Sequence, residues 1–170
     1  MNKLLLALLF FSSHNYAFAE ENWSLIGDTR LITRGEIVWG HQFGFMKSLS
    51  QCGDYDILLV SWSSDISDGQ LKAFEGNDAY LQINIDGETL KDELEFTLMN
   101  AGKFDSMEIG YFGAIVNSDT LVERLKQSSK VKLTFTEPKS LLKILDIQSD
   151  SFKTKGLNSS YSLLDNSCPK

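Results

Sequence analysis

The sequence predicts a mainly β domain, a β-sandwich carrying two short helices near residues 118–127 and 157–167. Three observations predict it. Apolar and polar residues alternate with a period of two in several short runs, the dipeptide Asp86-Gly87 offers tight-turn chemistry after one of them, and helical spacing of apolar residues is clear in only two stretches.

In chain order, Asp56 to Trp62 contains Ile57-Leu58-Leu59-Val60, apolar on both faces as a strand covered on each side requires. Leu81, Ile83 and Ile85 alternate with Gln82, Asn84 and Asp86, and Leu94, Phe96 and Leu98 alternate with Glu93, Glu95 and Thr97. These two runs are expected to form a hairpin or neighbouring strands, each with one apolar and one wet face. Met107 to Val116 reads as a longer strand, in which Gly110 and Gly113 favour a bulge, a bend or the close approach of another backbone. Asn117, Ser118 and Asp119 supply capping chemistry for a helix whose Leu121, Val122 and Leu125 share a face. Val131, Leu133 and Phe135 make another strand, ended by Glu137-Pro138 because proline cannot continue a ladder. Leu141 to Ile147 reads as a strand, with a short helix lined by Leu141, Leu142, Ile144 and Leu145 as the alternative. Leu157, Tyr161 and Leu164 recur at i, i+4 and i+7 and predict the last helix, with Asn158 available as its cap.

Residues 1–19 have the order of a secretory leader: a charge at Lys3, an apolar run from Leu4 to Phe11, and Ala17-Phe18-Ala19 before the expected cut at Glu20. Eight apolar residues fall well short of the roughly 20 that span a bilayer core, so a membrane anchor is not expected. The mature chain, residues 20–170, is read as a single domain, periplasmic or secreted. Its two cysteines, Cys52 and Cys168, are expected to form a disulfide in that oxidising setting. A loop of that length is assigned about 4 to 5 kcal/mol by the chain-entropy model.

Loss of the leader leaves 15 basic residues against 23 acidic ones, a net charge of −8, which argues against nucleic acid as a partner. Residues 48–123 carry 15 acids against three lysines, whereas residues 124–155 carry eight basic residues against three acids. Two outcomes follow: the halves neutralise each other in the fold, or the acidic segment forms one face that docks a cationic partner.

Little in the sequence carries chemistry. His41 is the one histidine outside the leader, which excludes a His/Cys metal cluster. Serines and acids abound, but no Gly-x-Ser-x-Gly turn positions a nucleophile, and no catalytic, cofactor-binding or metal-binding residue is assigned. Asp65, Asp68, Glu75 and Asp78 lack the spacing of an EF-hand and read as solvated loop acids. The segment from Trp39 to Phe45 interleaves aromatics with glycine, so Trp39, His41 and Phe43 are the candidate binding residues; the competing reading places Trp39, Phe43 and Phe45 in the core.

From Gly110 to Cys168 the order of features resembles the C-terminal part of the invasion-associated locus B family of exported bacterial proteins. The residues that carry the resemblance are Gly-Tyr-Phe-Gly-Ala-Ile-Val at 110–116, the helix from Asp119 to Lys126, the strand Val131 to Phe135, and Phe152-Lys153-Thr154-Lys155-Gly156-Leu157 before the last helix. The chain lacks the cysteine-containing segment common in that family near Gly110 to Gly113, and residues 20–109 match it poorly. The resemblance implies an immunoglobulin-like sandwich in the periplasm or envelope, without catalytic residues. The expected function is that of an exported, non-enzymatic module that binds a protein or another envelope macromolecule. The alternative is an inhibitor or immunity-type protein whose acidic face blocks a basic hydrolase.

Overall fold

The computed structural model describes residues 22–27, 29–47, 56–65, 69–116 and 120–166. The leader, Cys52 and Cys168 lie outside these residues, and so does the capping segment Asn117 to Asp119. In order along the chain the strands are β1 (Ser24–Ile26), β2 (Arg30–Arg34), β3 (Gln42–Met46), β4 (Asp56–Ser64), β5 (Asp78–Ile85), β6 (Glu88–Thr89), β7 (Leu94–Phe104), β8 (Met107–Val116), β9 (Lys130–Glu137) and β10 (Ser149–Lys153). The helices are α1 (Leu121–Gln127), α2 (Lys139–Leu142) and α3 (Leu157–Asn166), and a single 3-10 turn spans Lys72–Phe74.

The protein is mainly β, built on one antiparallel sheet in the order β1-β2-β3-β4-β8-β7-β5-β9-β10, with β6 paired to β5. The pairing does not divide into two sheets. Instead the sheet curls until distant strands share a core: the Trp62 ring of β4 lies 5.1 Å from Phe135 of β9, and Phe43 of β3 lies 5.7 Å from Phe152 of β10. Gly35 bridges Phe152, and the Glu36 N–H donates to the Ser151 carbonyl at 2.8 Å, so the β2 end of the sheet touches β10. Aromatic rings meeting edge-on or tilted add about 0.5 to 1.5 kcal/mol each beyond the area they bury.

The alternating runs became strands with their apolar residues inward. Leu81, Ile83, Phe96, Leu98, Val131 and Leu133 are all fully buried. β5 and β7 are neighbours, as expected, and the turn after β5 has Asp86 at φ 50° and Gly87 at φ 95°, the left-handed pair a two-residue hairpin needs. β4 is central, between β3 and β8. The glycines of β8 serve close approach: a Cβ on Gly113 would meet the Met99 sulfur, while the pairing irregularity falls on β7 between Leu98 and Asn100.

One expected strand is corrected. Leu141 to Ile147 contains α2 and a turn, and it joins the backbone of the sheet near its end, where Leu145 bridges Ser64 and the Asp146 N–H donates to the Ser63 carbonyl at 3.2 Å. The reason is the spacing of the buried residues: Leu141, Ile144 and Leu145 lie at i, i+3 and i+4, a helical interval, and Pro138 precedes the first turn. The helices expected near 118–127 and 157–167 are α1 and α3. Leu157, Tyr161 and Leu164 are buried on one face of α3, but Asn158 sits inside the helix, which is entered through Gly156 at φ 87°.

α3 is held to the sheet by a polar group as well as by its apolar face. The Tyr161 hydroxyl donates to Asp56, itself buried, and Lys47 pairs with both Asp56 (3.5 Å) and Asp165. Burial, and then the Asp56 carboxylate, raise the Tyr161 phenol far above the usual tyrosine range. No helix among the described residues is long and apolar enough to cross a membrane.

Candidate functional site

The hairpin between β2 and β3 carries the most exposed tryptophan and covers the most polar part of the core. The loop closes on itself, with Gly35 N–H donating to the His41 carbonyl at 2.9 Å and His41 N–H to the Val38 carbonyl at 3.0 Å. At its tip Trp39 is 73% exposed and Ile37 67%. The Arg34 guanidinium lies 3.9 Å from the centre of the Trp39 ring, a cation–π contact that fixes one face of the indole and leaves the other to solvent.

Beneath the tip lies Asp150, fully buried at an inward position of β10. Its two oxygens accept the backbone N–H groups of Ile37 and Val38, each at 3.0 Å, the N–H of Ser151, and a hydrogen bond at 3.0 Å from His41 Nδ1. One carboxylate thus satisfies four donors. Gly35 is required at its position because a Cβ there would run into this carboxylate.

The other ring nitrogen of His41 faces Ser63 Oγ at 3.0 Å and Asp146 Oδ1 at 3.2 Å, and the Ser63 hydroxyl donates to Asp146 Oδ2 at 2.6 Å. The imidazole stacks on Trp62 at 4.0 Å, and the Trp62 indole N–H donates to the Ile147 carbonyl at 2.7 Å. Burial works against the charge of Asp146, but hydrogen bonds from His41 and Ser63 outweigh it and hold its carboxyl below the usual range.

Ser63, His41 and Asp150 therefore stand in the order of a serine–histidine–acid triad, yet the chemistry points elsewhere. The shortest partner of the serine is a carboxylate that accepts its hydrogen bond, and His41 is sealed at 0% exposure beneath the loop. A nucleophile needs its hydroxyl directed at the base and open to a substrate.

The three residues singled out from sequence are separated. Trp39 projects into solvent, His41 lies under it, and Phe43 is buried between Trp23, Phe45 and Phe152. Ser63, Asp146 and Asp150 were not recognised, since their partner His41 is 22, 105 and 109 positions away. One sequence signal existed: Asp150 alternates with Phe152 in a short strand, so an acid occupies an inward position. Among the loop acids, Glu75 is bonded to Lys72 and Asp78 to Thr97, Asp65 is exposed, and Asp68 lies outside the described residues. No group of three His, Cys, Asp or Glu side chains among the described residues is placed to hold a metal ion.

The acidic and basic segments meet in part. Glu88 pairs with Arg124 at 3.1 Å, and Asp86 accepts the N–H groups of Ser129 and Lys130; Glu36, from outside the acidic segment, pairs with Lys130 at 2.6 Å. Comparison of the chain with family models, with curated proteins and with solved structures returns no match.

Proposed function

We propose that the protein is an exported, non-enzymatic binding module of the cell envelope, which contacts another macromolecule through the tip of the 35–41 loop. The observation that carries this reading is Trp39: a large aromatic, 73% exposed, mounted on a loop whose backbone N–H groups are fixed from below by a buried carboxylate. Rigid aromatic side chains give large contact area at small entropic cost, and a pre-set loop loses little on binding. The leader-like residues 1–19 and the resemblance of residues 110–168 to the invasion-associated locus B family support an envelope setting, and the curl of β3 and β4 over β9 and β10 is compatible with that family's immunoglobulin-like sandwich. The absence of an enzymatic role is supported by Ser63, whose proton is directed at Asp146.

The test is capture from the envelope fraction of the source cell by immobilised mature protein, compared with Trp39→Ala and with Lys91→Ala as a surface control. A component retained by the wild type and by Lys91→Ala but lost by Trp39→Ala is expected. Equal retention by Trp39→Ala would remove the loop from the function.

A further inference from the structure

Part of the basic segment collects on the outward side of β5, β9 and β10. Lys132 of β9 stands opposite Ser151 of β10 and beside Asn84 of β5, and two residues along the same ladder Lys130 stands opposite Lys153. Like charges directly opposite each other destabilise a strand pair. Of these three lysines only Lys130 has a carboxylate partner among the described residues, Glu36 at 2.6 Å. A recess of about 460 Å³ opens at this place, lined by the Asp86-Gly87 turn, Asn84, Ser129, Lys130, Lys132 and Ser151. Its size falls within the roughly 300 to 1,000 Å³ of small-molecule sites, but no apolar side chain lines it. The one carboxylate of the recess is fully engaged: Asp86 accepts the N–H groups of Ser129 and Lys130 and the Ser129 hydroxyl. Two donors are not. The Lys132 ammonium and the Ser151 hydroxyl make no hydrogen bond or ion pair among the described residues.

We propose that this recess binds a sugar phosphate, with the phosphate on Lys132, Lys130 and Ser151 and the sugar hydroxyls on Ser129 and Asn84. A site with free cationic donors and no free carboxylate selects a ligand that brings negative charge and acceptors. Such an anion also relieves the opposition of Lys130 and Lys153. The kind of cation selects the kind of anion. An ammonium is a compact point charge with three donors and suits a tetrahedral dianion, whereas a planar carboxylate is matched by the arginine fork, and no arginine lines the recess. The walls select the rest of the molecule. A nucleobase needs an aromatic ring to stack on and an acyl chain needs an apolar wall, and the lining residues offer neither. The Asn84 carbonyl, which takes the Gly87 N–H at 2.9 Å, and the Ser129 hydroxyl each keep a lone pair for a sugar hydroxyl. The recess adjoins the Trp39 loop, whose Glu36 donates its N–H to the Ser151 carbonyl, but its chemistry does not depend on what the loop tip contacts.

Isothermal titration calorimetry of the purified protein in phosphate-free buffer tests this. The probes are glucose 1-phosphate, glucose 6-phosphate, glucuronate, inorganic phosphate and glucose. The variants are Lys132→Gln and Ser151→Ala, with Lys103→Gln as an exposed lysine elsewhere on the sheet and circular dichroism to verify folding. At least one sugar phosphate is expected to bind with a dissociation constant of about 1 mM or tighter, ahead of the other three probes. Lys132→Gln should weaken that binding at least about tenfold, Ser151→Ala should weaken it less, and Lys103→Gln should leave it unchanged. No binding of either sugar phosphate at about 10 mM, or binding indifferent to Lys132→Gln, overturns the proposal. Glucuronate bound as tightly as the sugar phosphates overturns the choice of phosphate, and inorganic phosphate bound as tightly overturns the choice of a sugar.

Discussion

Asp150 and His41, 109 positions apart, meet at 3.0 Å in a fully buried pair that also fixes the backbone of the Trp39 loop. Removing the carboxylate strands the donors at Ile37, Val38 and His41. Leaving several buried donors without their acceptor costs about 3 to 5 kcal/mol, at about 1 to 3 kcal/mol for each. Asp150→Ala should lose that much in urea denaturation at neutral pH, and hydrogen exchange at Ile37 and Val38 should accelerate. A loss below about 1 kcal/mol would mean that the loop is held by its own backbone bonds.

Asp146 connects stability to acid pH. Its carboxyl is held below the ordinary range, against the effect of burial, by hydrogen bonds from His41 and Ser63. A folded-state value below the unfolded one means that the stabilisation is complete above about pH 4, the unfolded value, and is lost as the pH falls through the folded one. Asp86, lowered by the Ser129 hydroxyl and N–H groups, acts in the same sense. Asp146→Asn should lower stability at pH 7 yet flatten its decline from pH 5 to pH 3, followed by urea midpoints at each pH. A decline parallel to that of the wild type would detach Asp146 from the acid limb.

The parts of this fold that were legible in the sequence are those in which neighbours along the chain decide the outcome. Period-two alternation marked β5, β7 and β9 because each has one buried face, and Asp86-Gly87 marked its turn because few residues accept positive φ at both positions. α2 misled because Leu141, Leu142, Ile144 and Leu145 are too few to separate the two periods, and tertiary burial settled the matter. The site was illegible for a different reason. The aromatic segment containing His41 is visible locally, but its chemistry is set by Asp150 and Asp146, which arrive from the far end of the pairing path.

Tyr161 predicts the alkaline side. Its phenol is raised by burial and by the hydrogen bond to Asp56, so the folded protein keeps the proton that the unfolded chain releases near pH 10. Stability is therefore intact below that pH and declines above it. Tyr161→Phe leaves Asp56, among the described residues, with the more distant Lys47 and should cost about 1 to 3 kcal/mol at pH 7. The variant should also lose less between pH 10 and pH 11 than the wild type, as read from thermal midpoints.

The cysteines yield a separate prediction. Lys47 ion-pairs with Asp56 and with Asp165, which stand four positions from Cys52 and three from Cys168 in the sequence, so residues close in the chain to the two cysteines share one neighbourhood. Mass spectrometry of the unreduced protein should find a Cys52–Cys168 cross-linked peptide. The double variant Cys52→Ser, Cys168→Ser should be less stable by up to about 4 to 5 kcal/mol. Two free thiols in the protein purified under oxidising conditions would end the disulfide reading.

Trp39 can be followed by its own light. Trp23 and Trp62 are 2% and 0% exposed, which leaves Trp39 as the one indole of the three in contact with water. Its emission should be the red-shifted, acrylamide-quenchable component of the spectrum, and Trp39→Phe should remove that component while leaving the buried pair unquenched. Arg34→Ala frees the second indole face and should raise the quenching constant, because a cation–π contact worth about 0.5 to 1 kcal/mol at an exposed site no longer shields it. Quenching that persists in Trp39→Phe would mean that water reaches Trp62, and with it the His41 cluster beneath the loop.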